Sequence, residues 1–548
     1  MSHKKFGLGC ITVLGAAIAL GVGGRYLSRQ VLGKELTPLD AARVIPDEAL
    51  FTTFVETDSE KWSEVKGMVN QQSQNILETQ IEKFETELST ELTDFDYQKD
   101  IQPWLDGAMF AFVGEDIVDS NADADVLVIL GVKNKLKANN FAKKLQAKSQ
   151  AKLQESKYKR IKITESTTKN NELAISALIG NRLLLAEERD TIKRAIDAYK
   201  EDSSLASDSQ TKKVFEQKLD KGTSLAQIYF PNYPQLISQG MNIDPDVPNL
   251  YSELMSVYTS IESTTMTLGV ESQGLHVQSV TKLNSDEFSK YITPNKSKLL
   301  KRFPDRTVAV VSGSGISQFW SQLLVFLKQN RDTGRYLNLA KLGVRQATNL
   351  DLESDIFNWM DGEFAFGIVT TSKSLHPQFD LNYSAGLILE TSQPELAQKT
   401  LIALENSLQR NFAIAPTQNK IDKKAVTQWQ APGVEVALNY GWLDKNNLLF
   451  AWDDFTFESI SQSSKQSLAK SESFEAITKK IPDRNLGYFY LDVAQVMNTV
   501  NQLPIPQSNP ETEEMLAFLN SLDAIASYAT MPDKRTAQQD VFVMFKDN

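Results

Sequence analysis

The chain has 548 residues, 41% hydrophobic and 23% charged, with a formal charge of −11. That length exceeds one hydrophobic core, and the composition excludes a disordered or fibrous chain. No cluster of Lys and Arg offsets the acidity, so a phosphate-neutralising nucleic-acid surface is excluded as well.

Residues 6–24 read FGLGCITVLGAAIALGVGG, without a charge. As a helix this run spans about 28 Å, close to the hydrocarbon thickness of a bilayer. Lys4 and Lys5 precede it. A cleaved signal peptide would end near Ala17-x-Ala19, but the apolar run continues beyond that site, which favours a retained transmembrane anchor over residues 1–48 with its linker. Cys10, the single cysteine, precedes most of the run, whereas a lipidation site would follow it. Gly15, Ala19 and Gly23 share one face every four residues and suit a homodimer seam. A short cytoplasmic N-terminus would leave the large remainder outside the cytoplasm, as a single-pass membrane protein.

Residues 49–57 predict a strand, 60–95 a helix with Trp62 near its start, and 107–114 and 125–132 two strands. A helix is expected over 136–154. Strands are expected near 158–164, 173–179 and 182–187, helices over 189–200 and 211–219, a strand over 223–230, and a final hairpin within 263–283. The same succession starts again near residue 305. The phrase DIQPWLDGAMFAF at Asp100 is answered by DIFNWMDGEFAF at Asp355. Trp62 and Trp320, Trp104 and Trp359, and Phe215 and Phe474 lie 258, 255 and 259 residues apart. A near-constant offset in one order points to a duplicated unit too long for a solenoid repeat. The expected organisation is repeat 1 over 49–284, a polar linker over 285–304, and repeat 2 over 305–548. Hairpin-like strand pairs with helices between them predict an α+β fold of mainly antiparallel sheet.

Within the repeated phrase, Asp100 and Asp355 suit helix N-caps, and Gly107 and Gly362 suit a left-handed helix end before a strand. Trp104 and Trp359 then sit inside a helix–Gly–strand corner, as core residues or as the wall of a ligand cleft.

Chemistry-bearing motifs are sparse. Asp119, Asn121, Asp123 and Asp125 alternate as calcium-loop ligands do, but Ala124 and Leu130 stand where that loop needs Gly and Glu. Ser312-Gly-Ser314-Gly lacks the first glycine of a nucleophile elbow. The histidines are His3, His276 and His376 only, and no phosphate-cradling glycine loop occurs. No catalytic residue and no cofactor is expected. Trp429, Trp442 and Trp452, on neighbouring predicted strands, form a candidate partner or ligand patch, or else core.

The P-x-x-A-L-F stretch at Pro46 to Phe51, T-D-S-E-K-W at Thr57 to Trp62 and W-L-D-G at Trp104 to Gly107 resemble a membrane-anchored family of unknown function widespread in cyanobacteria. The resemblance covers nearly the whole chain and implies a periplasmic or thylakoid-luminal setting; it brings no active site. Two functions are therefore expected: a tethered non-enzymatic scaffold or assembly factor with a protein partner, or a carrier of a lipid or other apolar ligand.

Overall fold

The computed structural model describes residues 35–68, 97–113, 125–149, 152–167, 173–217, 222–234, 260–271, 274–286, 294–329, 331–371, 382–433, 437–462, 467–478, 484–502 and 510–546, with a few isolated positions between them. The apolar run 6–24, with Gly15, Ala19 and Gly23, lies outside these residues. Among the described residues no helix is long and apolar enough to cross a membrane. The chain divides into two compact units, the second beginning essentially at Lys282.

Among the described residues the first unit has ten strands: β1 (Phe51–Val55), β2 (Leu105–Phe112), β3 (Val126–Val132), β4 (Lys152–Tyr158), β5 (Ile161–Thr167), β6 (Leu173–Ile179), β7 (Arg182–Ala186), β8 (Thr223–Phe230), β9 (Ile261–Glu271) and β10 (Gly274–Leu283). They pair in the order β4-β5-β6-β7-β3-β2-β1-β8-β9-β10. Every pairing with a described register is antiparallel, as the hairpin-like pattern predicts.

Sequence periodicity explains the layering. β3 and β7 are buried on both faces, which is why they read as continuous apolar runs and not as alternation. One face packs Phe54, Met109, Leu127, Ile129 and Leu184 against the helix Arg189–Glu201. That helix presents Ile192, Ala195 and Ile196 at helical spacing and stops at Asp202, whose φ of 56° is left-handed. The opposite face packs Val128, Leu130, Leu183 and Leu185 against Ala138, Phe141, Ala142 and Leu145 of the helix Lys135–Ser149. Each fully buried Leu, Ile or Phe contributes about 1.5–3 kcal/mol of apolar transfer.

The expected helix over 136–154 is corrected here. It ends at Ser149, and Lys152–Tyr158 is a strand paired with β5. Lys159 and Arg160 supply φ of 42° and 67°, the left-handed pair of a tight two-residue hairpin, so the turn overrides the helical propensity of the Lys/Gln-rich run.

The described residues of the second unit also form ten strands: β11 (Thr307–Ser314), β12 (Glu363–Thr370), β13 (Tyr383–Glu390), β14 (Thr417–Ile421), β15 (Lys424–Trp429), β16 (Leu438–Trp442), β17 (Asn447–Ala451), β18 (Gly487–Asp492), β19 (Leu522–Asp533) and β20 (Thr536–Phe545). Their order is β14-β15-β16-β17-β13-β12-β11-β18-β19-β20, antiparallel throughout. Asp422 and Lys423, with φ of 48° and 64°, turn the β14–β15 hairpin. Ala365, Ile388 and Leu449 pack on one face with Phe457 and Ile460 of the helix Asp454–Gln462. Leu389 and Leu448 pack on the other with Ala397 and Leu401 of the helix Pro394–Phe412.

Candidate functional site

The two tryptophan corners are built alike in part. A π-helical turn, Tyr97–Ile101, leads to Trp104, and another, Leu352–Phe357, leads to Trp359. Both indoles are buried. Trp104 lies in the cluster of β3, β6, β7 and the helix Lys135–Ser149. Trp359 lies in the cluster of β13, β16, β17 and the helix Pro394–Phe412. Trp104 Nε1 donates to the Asp100 carbonyl at 2.8 Å, whereas Trp359 Nε1 has no acceptor among the described residues.

The N-cap expectation for Asp100 and Asp355 is corrected by the turns themselves, in which each aspartate already lies three residues past Tyr97 or Leu352. Asp351 caps the second turn, accepting from Glu353 and Ser354 N–H. Asp355 Oδ2 instead accepts from Asp351 N–H at 2.8 Å, and Asp100 Oδ1 accepts from Lys144 Nζ at 2.8 Å. The glycines differ too. Gly107 has φ of 73° within β2, where the β2–β3 register slips. Gly362 is not left-handed; a side chain there would meet the Glu390 carbonyl oxygen at 2.6 Å, so close approach is its requirement.

Carboxylates beside both corners hold the segment that leads into each unit. Asp106 Oδ2 accepts from Leu36 N–H at 2.7 Å. Glu363 accepts from Lys298 and Leu299 N–H, both at 2.9 Å, capping the short turn Lys298–Arg302. Burial pushes both carboxyls above their ordinary range, outweighing the backbone donors. For Glu363 the consequence has a definite sign. As pH rises above the ordinary value of 4.5, the unfolded chain releases a proton that the folded chain still holds, so this group's contribution to stability falls across that window. Denaturant unfolding at several pH values should show Glu363→Gln with a flatter acid-side pH dependence than the wild type. An unchanged profile would remove Glu363 as the source.

Of the calcium candidates, Asp119, Asn121 and Asp123 lie outside the described residues. Asp125 is ion-paired with Arg194, which also donates to the Val113 carbonyl at 2.9 Å, so that carboxylate closes a hairpin. Among the described residues no group of three His, Cys, Asp or Glu could hold a metal.

The three tryptophans of the second unit separate. Trp429 and Trp442 lie against the Trp359 cluster. Trp429 is 5.1 Å from the Tyr440 ring, and Trp442 Nε1 donates to Gln398 Oε1 at 2.8 Å. Tyr440 donates to Glu405, and burial together with that carboxylate pushes its hydroxyl well above the usual range. Trp442 also walls an open groove of about 670 Å³ with Gln398, Ile402 and Lys445. Trp452 stands apart, 40% exposed, edge-on to Phe366 at 6.4 Å.

Phe366 belongs to a surface that motif reading missed. Val311 pairs with Phe366 on one side and Phe489 on the other, and Phe366 pairs onward with Leu387. Val311 is 40% exposed and Phe489 37%. An apolar row therefore crosses four strands, β18-β11-β12-β13, and stays partly open at its centre. In the first unit the corresponding row is Ile228, Thr53, Phe110 and Val128, with a threonine at the centre. The alternation VAVVS and GYFYL signals strands, but not which of their faces lacks cover.

The family model described as "Protein of unknown function (DUF3352)" matches residues 8–545. No curated protein matches significantly. Among solved structures, crystal form I of TP0453 is 11% identical with a TM-score of 0.24, covering 46% of this chain and 80% of that one. Crystal form IV is 12% identical with a TM-score of 0.24, covering 46% and 85%.

Proposed function

The chain belongs to the DUF3352 family, a description that hands down no activity, and on that premise we propose a membrane-tethered, extracytoplasmic, non-enzymatic binding scaffold. The carrying observation is the open apolar row of Phe489, Val311 and Phe366. A folded sheet normally covers such a row, and uncovered apolar surface of this kind favours contact with a partner.

The two units are read as copies of one duplicated ancestor. The identical pairing order of their ten described strands and the matched tryptophan clusters support this reading. Duplication frees one copy to diverge, and the exchange of Thr53 for Val311 at the centre of the row is in that direction. The uncharged run 6–24 supports retention in a membrane, with Gly15, Ala19 and Gly23 as the seam of a homodimer. The family resemblance carried by Pro46 to Phe51 and Thr57 to Trp62 supports a cyanobacterial periplasm or thylakoid lumen, where an assembly factor for membrane complexes would work.

The same row supports a second reading, carriage of a lipid or other apolar molecule, because Trp452 and Phe366 extend it sideways as a continuous apolar surface. One experiment separates the two. A photo-crosslinking residue at position 311 of the full chain, in native membranes, should give one dominant protein adduct. Val311→Thr, which copies the centre of the first unit's row, combined with Phe489→Thr should suppress a Trp452-placed crosslink at least about fivefold, the effect of losing roughly 1 kcal/mol of apolar contact. Adducts of lipid mass alone, with an apolar molecule retained in native mass spectrometry, replace the scaffold with the carrier. No adduct of either kind removes both.

A further inference from the structure

The helix Arg331–Thr348 carries a second apolar stripe that belongs to no core cluster of the described residues. Leu337 is its buried anchor. On the opposite side Tyr336 is 72% exposed, Leu339 56% and Leu342 53%, three residues apart on adjoining positions of the helix surface. Phe319, in the preceding helix Ile316–Gln329, is exposed as well. The charge around this stripe runs against the rest of the chain. The helix contains four basic residues, Arg331, Arg335, Lys341 and Arg345, and one acidic residue, Asp332, in a protein of net charge −11. Lys341 is engaged with Glu353. Arg335 and Arg345 are exposed and have no ion-pair partner among the described residues.

We infer that this helix docks in the headgroup layer of an anionic bilayer. Leu339 and Leu342 would enter the acyl boundary, Tyr336 would sit at headgroup depth, and Arg335 and Arg345 would contact lipid phosphates. Exposed Leu on a helix costs solubility unless something apolar covers it. Unpaired guanidinium groups beside it select an anionic cover, and a basic amphipathic helix of this kind lies in the plane of the interface. A lipid surface is favoured over an acidic protein because the stripe stands on an exposed helix surface instead of in a socket, and because residues 6–24, read as an anchor, hold a bilayer within reach at high effective concentration. The inference rests on that anchor reading, and the test keeps the two apart.

The test uses the full chain in a Cys10→Ala background with Leu339→Cys carrying an environment-sensitive fluorophore, and Leu173→Cys on the first unit as the comparison site. Flotation with pure phosphatidylcholine vesicles reports the anchor alone. Brominated lipid in mixed phosphatidylglycerol–phosphatidylcholine vesicles should quench the label at 339 and spare the label at 173. Arg335→Gln with Arg345→Gln should lower the ratio of docked to undocked helix roughly 30-fold, with circular dichroism unchanged. Absence of quenching at 339 overturns the inference, as does equal quenching in pure phosphatidylcholine that ignores the arginines. A blue-shifted label that bromolipid does not reach means protein cover and overturns it too. If the chain fails to float with neutral vesicles, the anchor reading falls, and quenching at 339 in anionic vesicles still decides the helix.

Discussion

Trp104→Ala should cost the first unit about 3–5 kcal/mol, the range for emptying a fully buried aromatic site. The indole is wholly enclosed, lies 5.7 Å from the Phe141 ring, and bonds the carbonyl of Asp100 through Nε1. Truncation removes the contact between the corner and the helix Lys135–Ser149 and leaves a carbonyl without its donor. Hydrogen exchange resolved along the chain should show β3, β6 and β7 losing protection while β13, β16 and β17 keep theirs, because each set has its own core. Trp359→Ala should reverse the pattern. The phenylalanine variants refine the comparison. Trp104→Phe gives up a hydrogen bond worth about 1 kcal/mol in addition to volume, whereas Trp359→Phe gives up volume only. Equal costs for the two phenylalanine variants would show that the Asp100 bond contributes nothing.

Gly131→Ala should destabilise by more than about 3 kcal/mol, at or above the usual range for overpacking. A methyl group there would stand 1.8 Å from the Asp106 carbonyl oxygen and 2.6 Å from Leu36 Cβ. The first obstacle is backbone and cannot rotate away. It lies where β2 slips in register against β3, between Leu105 and Ala108. The strands must separate to admit the methyl, and Leu36 moves with them, loosening the segment that Asp106 holds. Gly343→Ala is the internal comparison. Nothing lies within 4 Å of its added methyl, and glycine within a helix costs roughly 0.5–1 kcal/mol against alanine, so that variant should gain stability. Thermal unfolding of both variants decides the matter; a Gly131→Ala protein as stable as the wild type would mean that the slip absorbs a methyl freely.

The fold class was legible because its signals are local. Short alternating strands bounded by turns imply antiparallel pairing, and a helix such as Arg189–Glu201 declares its buried stripe through Ile192, Ala195 and Ile196. Lys152–Tyr158 was not legible. Its composition suits a helix, it stands at the edge of the sheet, and the one partner that makes it a strand lies across a tight turn. The corner aspartates were misread for a related reason. Asp355 begins no helix, since the turn is capped four residues earlier by Asp351, and a π-helical turn has no sequence period to announce it.

By itself the sequence of this protein determined that strands and helices alternate, that hairpin-linked strands pair in antiparallel fashion, and that Trp104 and Trp359 each mark a turn before a strand. These follow from backbone preference and side-chain period, which act over a few residues. Only the tertiary structure decided that Trp429 and Trp442 join the Trp359 cluster while Trp452 stands in the open, and that Val311, Phe489, Leu339 and Leu342 remain uncovered. Whether an apolar side chain is covered depends on which distant element packs across it, and no window of adjacent residues contains that element.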